Sequence, residues 1–152
     1  MTPSRLREKV VSERIKWIRE MLTRLKSLPL ENHETFISDP RNVAAAESYL
    51  RRGLEALLDL GRHILARGFG DAVVEYKEIS HGLLRHQVLS KGSADKLMIL
   101  AGYRNRMVHF YHEIKNLELY EICSGELDDI EAVLQGVLGW IKDHPDRIDR
   151  GL

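Results

Sequence analysis

The feature that most limits what this chain can fold into is its apolar spacing. Hydrophobic residues recur three and four apart, with almost no period-two alternation. Leu6, Val10, Ile15, Trp17, Ile18, Leu22 and Leu25 fall mostly on one stripe of an otherwise charged segment. Such a stripe becomes a buriable face only when the backbone is helical. The same spacing returns in "RNVAAAESYLRRGLEALLDLGRHILARGFG", "YKEISHGLLRHQVLS", "ADKLMILAGYRNRMVHFY" and "ELDDIEAVLQGVLGWIKDHP". Strands need alternation or short β-branched runs between turns. The chain is therefore expected to be all-α.

Prolines and glycines divide the pattern. Pro3 and Ser4 are start signals for a first helix over 3–28, which Pro29 ends. "LPLENHETFISDP" leaves room for a short helical turn before Pro40. A second helix is expected over 41–67, stopped by the glycines of "RGFG". A third follows around 75–90. After the "KGSAD" break, Ser93 is a candidate N-cap for a fourth helix. "NLELYEICSG" reads as a turn with a short helix, and the last helix ends near Pro145. Short connections make neighbouring helices pack antiparallel, giving a bundle of four to five main helices with short extra ones. There is no repeat, low-complexity tract or composition shift, and 152 residues suit a single core. One domain over 1–152 is expected.

Charge narrows the function classes. Lysine plus arginine equals aspartate plus glutamate at 23 each. The chain has no general attraction for nucleic acid, so any RNA-binding surface must be a local patch. Zero net charge also gives little repulsion between copies, which suits an oligomer or a complex. The lone Cys123 excludes an internal disulfide and a cysteine-based zinc site. Its acidic surroundings, "YEICSGEL", do not favour a thiolate, so a buried small residue is expected. No apolar signal core and no membrane-length run is present. A cytoplasmic location without membrane association is expected.

The chemistry concentrates in "LAGYRNRMVHFYHEI", residues 100–114, which gathers two arginines, two histidines, two tyrosines and an asparagine. With Arg104 at zero on a helical wheel, Ile99, Leu100, Tyr103, Met107 and Phe110 fall between about 220° and 320°, the expected core stripe. Asn105, His109 and His112 fall on the opposite side, between about 80° and 140°. Arg104, Val108 and Tyr111 occupy the flank, together with Leu97 and Ala101. Apolar surface on more than one side of a helix carrying ionisable groups favours a cleft or a partner subunit over a plain solvated face. Arg104 and His109 lie about 140° apart, so either the arginine bends round or each meets its counterpart across a two-fold axis. The plain alternative is a surface arginine and a packing histidine.

"RNRMVH" fits the R-x4–6-H signature of HEPN domains, with Asn105 as the polar residue after the arginine. "RNRMVHFY" fits the R-x4-H-x-Y version and resembles the HepT-like (DUF86) toxins. A helical bundle of this length, a motif late in the chain and an amphipathic helix after "LELYEI" extend the resemblance. It implies a type VII HEPN/MNT toxin–antitoxin system. In such a system the toxin is a metal-independent RNA endonuclease that pairs as a homodimer around one active cleft. It also implies an MNT-type nucleotidyltransferase antitoxin that adds AMP to the motif tyrosine, here Tyr111.

That reaction is physically coherent. RNA supplies its own nucleophile, the ribose 2′-OH, so the enzyme needs a base, an acid and a cation for the charge on phosphorus. His109 suits base or acid because imidazole titrates near neutral pH. Arg104 offers a bidentate fork for phosphate oxygens. Asn105, one turn before His109, can orient it or bind substrate. A second copy would bring the second histidine, and the product would carry a 2′,3′-cyclic phosphate. Tyr111 lies nearly over Arg104 on the wheel, so an AMP there would block it by bulk and charge.

Other candidates are weaker. Arg51, Arg52, Arg106 and His112 can widen a positive RNA cleft, although a solvated face is the default reading of Arg51 and Arg52. His109 and His112 share the spacing of a metal pair but have no third ligand. No metal or cofactor is expected. His63, His81 and His86 read as helix-surface residues, and Trp17 and Trp140 as core or interface. The competing functions are a non-catalytic HEPN-type module that docks a nucleotidyltransferase or nucleotide, and a helical interaction protein whose motif match is accidental.

Overall fold

The computed structural model describes residues 4–109 and 114–149. The order is β1 (Leu6–Arg7), α1 (Glu8–Lys26), α2 (His33–Ser38), α3 (Pro40–His63), α4 (Tyr76–Arg85), α5 (Lys91–His109), α6 (Asn116–Gly125), α7 (Leu127–Asp143) and β2 (Ile148–Asp149). A π-helical turn, Ile64–Gly68, prolongs α3, and a 3-10 turn, Pro145–Arg147, follows α7. The architecture is all-α, as the apolar spacing requires. Its long helices are α1, α3, α5 and α7.

In α1 the residues Val11, Ile18, Met21, Leu22 and Leu25 are buried, a helical stripe that packs on α3. Asn32 caps α2 by accepting the Thr35 N–H at 3.1 Å. Asp39 caps α3 by accepting the Arg41 N–H at 2.9 Å, with Pro40 in the first turn. α3 is the central helix. Leu50, Leu54, Leu57, Leu58 and Leu60 are all essentially inaccessible. Gly53 lets α1 come close, because a Cβ there would lie 3.3 Å from Met21 Cβ. The buried side chains form one cluster, which draws on every long helix.

Three boundaries differ from the expected ones, each for a tertiary or capping reason. The first helix starts at Glu8 rather than Pro3, because Leu6 is buried and pairs in parallel with Ile148 across the bundle. The third helix stops at Arg85, not residue 90. Gln87 takes a positive φ of 61°, and Val88 and Leu89 turn back to donate to the Leu83 carbonyl and enter the core. The fourth helix starts at Lys91. Ser90, not Ser93, is its capping side chain, with Oγ accepting the Ser93 N–H at 3.2 Å.

The largest difference is the orientation of α5. Ala94, Leu97, Leu100 and Ala101 are its buried residues, while Ile99 is 53% exposed. On the wheel that buried arc runs from about 320° through zero to about 80°, rotated roughly 100° from the expected stripe. The supposed flank is the core side. Tyr103 and Met107 pack against the core edge, half-buried. The cause is the neighbourhood: α5 packs against α3, α4 and α7 together. Arg104 therefore emerges from the buried arc itself. Phe110, Tyr111 and His112 lie outside the described residues.

Candidate active site

Arg104 leaves α5 toward α3 and α4, and its side chain is only 16% exposed. A cation so placed needs compensating charge or a polarisable face, and it has both. Arg104 Nη2 donates to Glu55 Oε2 at 3.3 Å. Its Cζ lies 4.6 Å from the centre of the Tyr76 ring. Glu55 is shared, because its Oε1 accepts Arg51 Nη1 at 2.6 Å.

One turn along α3, Asp59 accepts both the Tyr76 hydroxyl at 3.2 Å and Arg62 Nη1 at 3.1 Å. The Arg62 guanidinium also lies over the Tyr76 ring, at 4.9 Å, and donates to the Val74 carbonyl at 2.9 Å. Burial first, and then the Asp59 carboxylate, raise the Tyr76 phenol above its ordinary range. That keeps it a neutral donor.

Arg62, Tyr76 and Arg104 border a cavity of about 590 Å³ whose walls also include Lys77, Asn105, Arg106 and His109. Gly102 also lines it, and a Cβ there would meet nothing within 4 Å. Arg104 and His109, 140° apart on an ideal wheel, nevertheless face one space, since the long arginine side chain reaches round. His109 is exposed. Asn105 Oδ1 lies 3.5 Å from Arg104 Nη1, so its described neighbour is the arginine rather than His109. Arg106 lines the cavity while its guanidinium makes a two-point pair with Glu118 at 2.8 and 2.7 Å. That pairing holds the Glu118 carboxyl below its usual range.

The remaining candidates divide. Arg51 is tied to the site through Glu55. Arg52 is exposed and lines a separate, smaller recess with Trp17 and Glu55. Tyr111 and His112 lie outside the described residues. His81 is exposed, but two histidines expected at the surface have structural contacts. His63 Nε2 accepts the Arg7 N–H at 3.1 Å, and burial plus nearby arginines push its pKa down to about 4. His86 stacks on Phe69 with ring centres 4.2 Å apart. Cys123 is buried and its thiol is pushed up to about 12. Among the described residues, no group of three or more His, Cys, Asp or Glu is placed to hold a metal. No described helix is long and apolar enough to cross a membrane.

Four residues of this network, Glu55, Asp59, Arg62 and Tyr76, carry no mark in the motif. The only local signal was the i, i+4, i+7 spacing of the first three, which puts them on one face of α3.

Comparison with known proteins places the fold and the family. No curated protein matches the chain in sequence. Among solved structures, a tri-AMPylated Shewanella oneidensis HEPN toxin in complex with its MNT antitoxin superposes with a TM-score of 0.77 at 19% identity, over 86% of this chain and 97% of that one. A toxin–antitoxin structure with AMP-PNP gives a TM-score of 0.74 at 19% identity, over 84% of this chain and 97% of that one. YutE of Bacillus subtilis, a cytosolic protein of unknown function, gives 0.75 at 17% identity, over 92% and 94%. These likenesses establish the fold. In sequence, the family model "Ribonuclease HepT-like" matches residues 18–137, from α1 through α5 to α7. The chain belongs to the HepT-like ribonuclease family.

Proposed function

We propose that this protein is the toxin of a HEPN/MNT toxin–antitoxin pair, a metal-independent RNA endonuclease that works as a homodimer. The observation that best supports this is the convergence of Arg104, Asn105 and His109 on one cavity wall, in a chain of the HepT-like family. Arg104 binds a non-bridging phosphate oxygen and offsets the charge that grows on phosphorus. His109, exposed and free to approach substrate, takes the proton of the ribose 2′-OH. The 2′-oxygen attacks phosphorus, the bond to the 5′-oxygen breaks, and the His109 of a second copy protonates that leaving oxygen. The products are a 2′,3′-cyclic phosphate and a 5′-hydroxyl. No step needs a metal or cofactor.

The partner in this reading is an MNT-type nucleotidyltransferase antitoxin, which silences the toxin by adding AMP to Tyr111. The tri-AMPylated state of the Shewanella oneidensis toxin, at 19% identity, supports it. Arg106 and His112 contribute to RNA binding at the cleft, and Arg51 and Arg52 extend the RNA-binding surface beyond it along α3.

Expression of the chain alone, beside His109→Ala and Arg104→Ala, tests the nuclease. The parent should arrest growth and cleave RNA in excess EDTA to cyclic-phosphate ends, with each variant reduced at least about a hundredfold, in the range lost with an acid–base group. A parent inert toward RNA, or variants as active as the parent, would overturn it. Incubation with a cognate nucleotidyltransferase and ATP should add AMP masses that map to Tyr111.

A further inference from the structure

We propose that Tyr76 is the positioning residue for Arg104, holding its guanidinium at the cavity edge through a ring that Asp59 and Arg62 fix in place. The inference rests on the ribonuclease reading and adds to it a residue outside the motif.

Arginine has a long, freely rotating side chain, and a phosphate-binding fork is useful only when held in one direction. Two contacts supply that constraint. The Tyr76 ring lies under the guanidinium at 4.6 Å. Glu55 Oε2 takes Nη2 at 3.3 Å, which leaves Nη1 on the side of Asn105 and the cavity. Arg104 Nε is buried with no hydrogen-bond partner among the described residues, so the ring and Glu55 are the contacts that restrain the group.

The ring is itself constrained. Its hydroxyl donates to Asp59, and Asp59 also holds Arg62, whose guanidinium lies over the same ring at 4.9 Å. Glu55 and Asp59 face three guanidiniums, those of Arg51, Arg62 and Arg104, so the cluster keeps a positive charge in excess for an incoming phosphate. The Glu55 contact, at 3.3 Å, is long for an ion pair, which makes the stack the main restraint.

A double-mutant cycle reads this directly. Tyr76→Leu should lower kcat on a short RNA about tenfold, within the range of a desolvated cation–π contact. The two pH limbs set by His109 should stay in place, and Tyr76→Phe, which keeps the ring but loses its bond to Asp59, should fall between the parent and Tyr76→Leu. In an Arg104→Ala background, Tyr76→Leu should cost nothing further. A second loss of similar size there, or Tyr76→Phe as poor as Tyr76→Leu, overturns the proposal in favour of a packing role. The Arg104 Nε–Hε resonance, assigned by its disappearance in Arg104→Lys, gives a readout without substrate. In the parent it should carry a ring-current shift that Tyr76→Leu removes. An unchanged resonance overturns the positioning role even if the chain cleaves RNA. A parent that cleaves no RNA instead overturns the ribonuclease reading.

Discussion

α3 makes two seams of opposite character. Along its apolar face, with Leu50, Leu54 and Leu57 buried, Gly53 lets α1 come close and Gly61 meets Ile79 and Leu83 of α4, a surface fitted by shape and close approach. Toward α4 and α5 it presents Glu55, Asp59 and Arg62, each bonded to a named polar partner. The apolar seam derives its strength from burial, which is non-directional and tolerates any side chain of the right volume. The polar seam adds little net stability, because each ion pair is offset by desolvation. What it adds is direction, fixing how Tyr76 and Arg104 point. One helix thus stabilises the bundle with one face and orients the candidate site with the other.

Substitutions can separate the two. Leu54→Ala should have the largest effect, a loss of about 2–5 kcal/mol from transfer and cavity terms, measured by urea denaturation. Cleavage per folded molecule should be unchanged, and a lost rate at full folding would show the seams to be coupled. Arg104→Lys should give the opposite result. The charge remains while the fork and the flat stacking surface are lost, so cleavage should fall at least about tenfold with stability within ~1 kcal/mol.

Tyr103→Phe is the control on the same helix. Tyr103 donates to Glu126 at 2.9 Å, away from the cavity, and its pKa is pushed up to about 12 by burial and then by Glu126. Its removal should cost about 0.5–1.5 kcal/mol, read by thermal melting, and leave cleavage intact.

The smallest effect belongs to His63, which ties Arg7 to the end of α3 as a neutral acceptor. Its folded pKa of about 4 lies below the ordinary 6.5, so between those values the unfolded chain binds the extra proton. Its stabilising contribution is complete above about pH 6.5 and declines as pH falls toward 4. His63→Gln should flatten that part of the stability–pH curve. An unchanged slope would place the acid sensitivity elsewhere.

Much of the molecule was legible locally. The break at Pro29, the stop before Pro145 and the buried stripe of α1 each follow from neighbours within about a turn. The grouping of Arg104, Asn105 and His109 is likewise local. Other features were not. Leu6 reads as the start of a helix until Ile148, at the far end of the chain, pairs with it. Gln87 is an unremarkable residue whose positive φ is set by the burial of Val88 and Leu89 beyond it. Tyr76 and Glu55 became site residues because the packing of α3, α4 and α5 set them beside Arg104, with Glu55 reached across 49 positions.

The sequence by itself determined that this chain is helical, that helices break near Pro29, Pro40 and Pro145, and that one helix carries an arginine and a histidine five positions apart. Helix formation and capping depend on residues within a turn, so that information is contained in short stretches. Tertiary structure decided which side of α5 is inside. That helix has apolar residues on two arcs, and its own spacing does not choose between them. Docking against α3, α4 and α7 at once selected the arc around Leu97, Leu100 and Ala101. It thereby turned Arg104 from a flank residue into one held against Tyr76 and Glu55.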